Sequence, residues 1–331
     1  TDGTTFTSDL PTAYRTPGYP WLLVLLGRVG GAGNMVMGTM LLQAVVLAAF
    51  PTLVFALSRR LGLGDAPALG AALAAFLFLP LRYLSMLVHP ELVALALLLL
   101  GLERLLAHLE TRSLGSAAAA AACLAAAVLF KQNLAVVLVL LVYPLPLWLG
   151  RRAWCVMAAV VLIVLGPWVV RNAVVVGAPV LTTNGGVNFY LGGNPEVPVT
   201  LDRLTSHGAV VRSLAEQGLS EVEIDRELYR RGWQAVTSQS PLEIAERLLE
   251  KVRVMQRDYF PTTHNELFYL LLVLGLAWRR GAPLAVLVAT QLVVGLLIHP
   301  VEITPRGLYY ANLVDVMVLK AVGVLALYYF S

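Results

Sequence analysis

The sequence predicts an all-α polytopic membrane protein, and three observations carry that reading. Of its 331 residues, 58% are hydrophobic and only 13% charged, with a mean hydropathy of +0.76, whereas globular domains carry about 25% charged residues. Long apolar runs recur, several close to the ~20 residues that a helix needs to cross a bilayer. Arginine pairs punctuate those runs: Arg59 with Arg60, Arg151 with Arg152, and Arg279 with Arg280 each end one run and precede another. Arg104 and Arg112 form a looser cluster in an equivalent place.

Taken in order, the runs predict about nine spans, over 35–57, 66–88, 91–107, 114–130, 134–150, 153–170, 266–278, 282–298 and 308–330. Cationic side chains resist translocation, so short loops rich in Lys and Arg stay cytoplasmic. The four joints bearing the clusters hold eight arginines. The short joints between them hold only Lys131 and Arg306, with Arg82 just before one. The first span therefore starts outside and the ninth ends in the cytoplasm, which implies a multi-pass protein of the plasma (inner) membrane. Cys123 and Cys155 both fall within spans, where they read as small apolar residues rather than a disulfide. The net charge of +4 comes largely from the clusters and is no nucleic-acid signature.

Four domains follow: 1–34, a first extracytoplasmic loop with an interfacial helix; 35–170, transmembrane helices; 171–265, a large extracytoplasmic loop; and 266–331, the C-terminal transmembrane helices. Within the first, Pro11, Pro17 and Pro20 keep the backbone extended. Residues 18–27 are apolar, but ten residues make only roughly 15 Å of helix, so they predict a helix lying along the interface with Tyr19 and Trp21 as anchors. The 95-residue segment 171–265 exceeds any simple turn. Its Gly/Asn/Pro-rich entry reads as ordered loop. Ser220 and Glu223 form a capping pattern that opens an amphipathic helix over 220–238, and Pro241 starts another running towards Arg257.

The stretch AYRTPGYPWLLVLLGRVGG resembles the first-loop signature of membrane glycosyltransferases that take sugars from polyprenyl phosphates, such as the protein mannosyltransferases and the lipid A aminoarabinose transferase. PWVVRNAVVVGAPVLTTNGGVNFYLGGNPE is similar to the stretch after a late span in bacterial members, and RELYRRGWQAVTSQSPLEIAERLLEKV resembles their loop helices. In the C-terminal third only TPRGLYYANL keeps the pattern. The resemblance implies a GT-C-like helix bundle with an extracytoplasmic active site. It also implies inversion of the sugar by a single displacement, with a carboxylate as base. That acid lies upstream of the R-x-P-G-Y-P motif, so it is expected ahead of Thr1. Asp2 and Asp9 are the acids before Arg15 and stand as weak replacements, with a solvated loop as their other reading.

For the donor phosphate the candidates are Arg15, Arg306 and Lys131. Arg15 sits among three prolines, where a guanidinium can pair bidentately with phosphate. Arg306 occupies the position of a family arginine near that phosphate. Snorkelling to lipid headgroups is the alternative for both. His89, Glu91, His264 and His299 lie at outer ends of spans, but their spacing matches no ligand motif; capping and interfacial hydrogen bonds fit better. No cofactor is assigned, and a divalent metal stays open. Asp315 and Lys320 in the last span are poor mutual partners, being ~140° apart on a helix. The Asn184–Gly185–Gly186 and Gly192–Gly193–Asn194 runs read as turns, or as backbone cradles for phosphate.

Three function classes result. The first is a glycosyltransferase acting on a polyprenyl-phosphate-linked sugar and a lipid, glycan or protein acceptor, among membrane lipids. The second is a transporter or flippase, for which broken or ionisable spans would be expected. The third is a non-catalytic homologue of the transferase.

Overall fold

The computed structural model describes residues 11–77, 79–135, 138, 150–198, 200–259 and 301–303. The expected spans over 266–278, 282–298 and 308–330, and most of 134–150, lie outside the described residues. Those that are described form helices almost throughout. Two three-residue strands, β1 (Thr200–Asp202) and β2 (Val301–Ile303), pair in parallel, with Leu201 opposite Glu302. The chain divides into two compact units, one drawing on Thr16–Trp168 and the other on residues up to Arg15 and from Val169 onwards.

The first unit is the helix bundle. Helix α1 (Gly18–Gly30) follows Pro17 and ends where Gly31 takes φ 83°. Helix α2 runs over Met35–Arg60, α3 over Asp65–Leu77, α4 over Leu79–Leu84, α5 over Glu91–Thr111 and α6 over Leu114–Phe130, and α7 (Arg151–Val175) belongs to this unit as far as Trp168. Three helical stretches among the described residues are long and apolar enough to cross a bilayer: Ala32–Arg60, Glu91–Thr111 and Arg151–Val175. These are the features of a membrane protein. Only 17% of the apolar windows of the first and third is buried, against 56% for the second, so α5 is the central helix. Leu41 and Val45 on α2, and Leu162 and Ile163 on α7, turn outwards, as side chains bound for hydrocarbon do.

Alanine makes the bundle tight. Ala117, Ala120 and Ala121 of α6 are fully buried with Leu105, Ala153 and Met157, and small side chains let helix axes approach in membranes. Gly101 of α5 completes that contact, since a Cβ there would lie 2.8 Å from Leu124. The α5–α6 turn is short because Arg112 adopts the left-handed region (φ 56°), and Ser113 then caps α6 by accepting the Ser116 N–H at 3.3 Å. Joints assigned from sequence to one face do collect at one end. Arg60 pairs with Glu103 and Glu110, and Arg104 with Glu103, while His89 and Lys131 meet at the other end.

Several expectations change in detail. The span expected over 66–88 has its last helix end at Leu84, with Ser85 to His89 in turns; Pro80 removes one helical donor and Pro90 starts the next helix. The interfacial helix reaches Gly30, and Tyr19 is buried rather than an anchor, whereas Trp21 is exposed. Cys123 is half-buried and Cys155 exposed, both as free thiols.

The second unit contains α8 (Gly185–Gly193), α9 (Arg203–Glu216), α10 (Glu221–Thr237) and α11 (Pro241–Tyr259). The Ser220/Glu223 capping box opens α10 as the sequence predicts. Helix α8 does not follow from the sequence, because its Gly/Asn-rich segment reads as loop. It survives by packing. Val187 and Leu191 join Val211, Leu214, Ile224 and Leu228 in one core, and glycines on both helices let α8 and α10 touch. A Cβ on Gly186 would lie 2.1 Å from the Asp225 carbonyl oxygen, and one on Gly193 would lie 2.6 Å from Val236. A backbone carbonyl cannot swing aside, so Gly186→Ala should destabilise this unit by about 1–3 kcal/mol or more. Hydrogen exchange should show faster exchange in both α8 and α10; unchanged protection would mean that the helices can move apart cheaply.

Candidate functional site

In the bundle unit, a buried polar cluster is built by four short segments. Gly18 brings α1 against the end of α6, where a Cβ would meet the Leu129 carbonyl oxygen at 2.6 Å. That contact seats Tyr19, whose ring lies edge-on to Phe130 with centroids 6.5 Å apart. The Tyr19 hydroxyl donates to Gln43 Oε1 at 3.3 Å. Gln43 in turn donates from Nε2 to the carbonyls of Leu84, Ser85 and Leu87, which satisfies the turn left where α4 ends. Pro90 starts α5 and puts Glu91 at its first position, where a carboxylate suits the helix dipole.

Glu91 is the centre of the charge. Its side chain is 5% exposed, and Lys131 Nζ donates to Oε1 at 2.8 Å. His89 Nδ1 lies 3.2 Å from Oε2. Burial first, and the nearby Glu91 charge second, push the Tyr19 phenol above its ordinary value. Sequence reasoning identifies Glu91 as a helix-start carboxylate but does not see the cluster. The signal it passes over is Gln43, an amide inside the apolar run of α2. Ionisable groups buried among membrane helices are expensive and tend to mark functional sites.

In the second unit, residues 12–14 are stitched onto the loop helices. Arg171 donates to the Thr12 carbonyl at 2.9 Å. The Ala13 N–H donates to Glu221 Oε1 at 3.0 Å, and the Ala13 carbonyl accepts from the Thr183 N–H at 3.1 Å. The Thr183 hydroxyl also donates to Glu221, and Tyr14 packs on the α8–α10 core. These bonds fix the backbone directly before Arg15. Arg15 itself is exposed.

Of the other candidate residues, Lys131 is bonded to Glu91, whereas Asp2, Asp9, Arg306, His264, His299, Asp315 and Lys320 lie outside the described residues. Among the described residues no group of three or more His, Cys, Asp or Glu side chains could hold a metal ion. The two glycine runs are helix ends rather than plain turns. The Gly186 N–H donates to Asp225 at 2.6 Å, so a carboxylate of the protein occupies the N-terminus of α8. At its C-terminus the Gly192 carbonyl accepts from Lys251 at 2.8 Å and from Arg247 at 3.1 Å, the sign of charge that the helix end favours. Burial lowers the Lys251 amine to about 7. The cavity beside these two residues, about 20 Å³, holds no more than a water-sized group.

Burial pushes the Asp225 carboxyl up to about 6, against a smaller downward pull from the Gly186 N–H. A carboxyl raised on folding binds its proton more tightly in the folded state, so the charged form weakens the fold above pH 6. That cost is relieved as pH falls from 6 towards 4. Stability of the loop unit should therefore rise by roughly 1 kcal/mol from pH 7 to pH 5 through this group alone. Thermal melts of wild type and Asp225→Asn at both pH values check this; equal pH responses in the two proteins would remove Asp225 from the account.

No family model, curated protein or solved structure matches the chain.

Proposed function

We propose that the chain is a membrane glycosyltransferase. It moves a sugar from a polyprenyl-phosphate donor to an extracytoplasmic lipid, glycan or protein acceptor, with inversion, at the outer face of the plasma (inner) membrane. The observation that carries this reading is the cluster of Tyr19, Gln43, His89 and Lys131 around the buried Glu91. It joins part of the R-x-P-G-Y-P motif to an ionisable centre in an apolar bundle, where charge has no structural advantage over well-packed apolar side chains.

In the proposed reaction the acceptor oxygen attacks the anomeric carbon, and the bond from that carbon to the phosphate oxygen breaks. The electron pair leaves with the polyprenyl phosphate, and the acceptor proton passes to a carboxylate base, which the resemblance puts ahead of the motif. Negative charge grows on the leaving phosphate, so a fixed cation beside it stabilises the transition state more than the ground state, and Arg15, Arg306 and Lys131 are the candidates for that cation. Glu91 accepts from Lys131 Nζ at 2.8 Å and holds it in place.

The reading is tested by reconstituting the protein in vesicles with radiolabelled polyprenyl-phosphate sugars and following label into lipid, glycan and protein fractions. Release of label from the polyprenyl carrier into any of these fractions supports it. Retention of label on the carrier, with movement of the intact donor across the bilayer, would replace it with the flippase reading. The orientation has its own test. An impermeant thiol reagent on intact cells should modify a cysteine at position 215 and spare one at position 60; the reverse pattern would turn the protein over and remove the extracytoplasmic site.

A further inference from the structure

The second unit carries an aromatic surface that the proposed transfer chemistry leaves unused. Phe189 of α8 lies 6.4 Å from Trp233 at an interplanar angle of 30°, and 5.9 Å from Tyr229 at 36°. Trp233 is 62% exposed and Tyr229 45%, although both are large rings on an amphipathic helix that buries Ile224 and Leu228. Two glycines seat the set. A Cβ on Gly185 would lie 2.0 Å from the Tyr229 hydroxyl, and one on Gly232 would lie 2.8 Å from the Phe189 ring. The rings are therefore held by the α8–α10 contact itself. Tyr229 and Trp233 are four residues apart and share a helix face, and planar polar groups accompany them: Glu227 accepts from Arg230 and Arg231, and Gln234 accepts from Arg230 at 3.1 Å.

We infer that Phe189, Tyr229 and Trp233 form a platform that binds a saccharide ring, as the acceptor subsite of the proposed transferase. A pyranose presents polarised C–H bonds on one face and hydroxyls around its rim. The first suit the negative face of an aromatic ring, and the second suit side chains such as Arg230 and Gln234. A bilayer is the poorer occupant, because the exposed companions of the rings on α10 are charged rather than aliphatic. Ring positions fixed before binding cost the ligand little ordering. The inference rests on the transferase reading for its role as an acceptor subsite, and on the platform alone for binding.

The experiment is a titration of the purified full-length protein in nanodiscs with maltose, cellobiose and mannobiose, read by tryptophan fluorescence and by saturation-transfer NMR. Millimolar binding of at least one disaccharide is expected. Trp233→Ala should weaken it at least tenfold, Trp233→Phe should stay within about threefold, and Leu242→Ala, at an exposed site on α11, should leave it unchanged. Undiminished affinity in Trp233→Ala, or no disaccharide binding by wild type, would overturn the platform. So would quenching of Trp233 by brominated lipid, since that would assign the face to the bilayer. The two levels separate cleanly. Saccharide binding without sugar transfer sinks the transferase reading and leaves the platform, whereas transfer with normal acceptor KM in Trp233→Ala sinks the platform alone.

Discussion

Replacing Glu91 with alanine is expected to lower stability by about 3–5 kcal/mol, because it leaves the Lys131 ammonium buried without its carboxylate. The mirror change, Lys131→Ala, leaves Glu91 with His89 alone and should cost less. Replacing both partners at once with apolar groups, Glu91→Leu with Lys131→Met, should restore most of the loss, since a buried ion pair and a packed apolar pair are often near equal in energy. Thermal denaturation of the four proteins in detergent measures this cycle. Sugar transfer by the double variant then separates architecture from chemistry. A protein with recovered stability and no turnover would make the cluster functional. Recovered stability with normal turnover would reduce it to a structural ion pair.

Arg15→Ala and Arg306→Ala should each lower turnover by ~10²-fold or more, the scale of removing one preorganised charge contact from a transition state. Arg15→Lys should recover part of the rate, because an ammonium keeps the charge but loses the fork that matches phosphate oxygens. The structure supports Arg15 by the bonds that hold Thr12, Ala13 and Tyr14 in place immediately before it. A guanidinium on a tethered backbone is a better electrostatic partner than one on a free strand. Wild-type rates in Arg15→Ala would leave only an arginine at the membrane surface.

Much of the helix pattern was legible because its causes are local. Leu114–Phe130 forms over the predicted residues, since Ser113 caps it and an alanine run carries it. Helix α10 starts at its predicted capping box for the same kind of reason. What could not be read depends on partners distant in sequence. Helix α8 is poor in helix formers and exists because Gly186 and Gly193 admit α10, forty residues away, at backbone distance. Tyr19 resembles a surface anchor until Gln43 supplies a buried acceptor. Glu91 carries a dipole argument by sequence, but its pairing with Lys131 spans forty residues and an intervening helix pair. Periodicity and capping specify elements; the candidate site arises where four element ends converge, and no single window of sequence contains it.

The bond from the Ala13 amide to Glu221 joins residues 208 positions apart. It has a consequence for biogenesis. At 5–20 residues per second of synthesis, roughly 10–40 s separate the appearance of the amide from that of its carboxylate. During that interval the bundle helices from α1 to α7 emerge first, and the strip around Ala13 has only Arg171 and then Thr183 to hold it. The last anchor of that strip is thus set only when the start of α10 emerges, and a chain arrested before Glu221 would hold Arg15 less firmly. Protease sensitivity near residues 11–15 in stalled chains of increasing length would time that event directly.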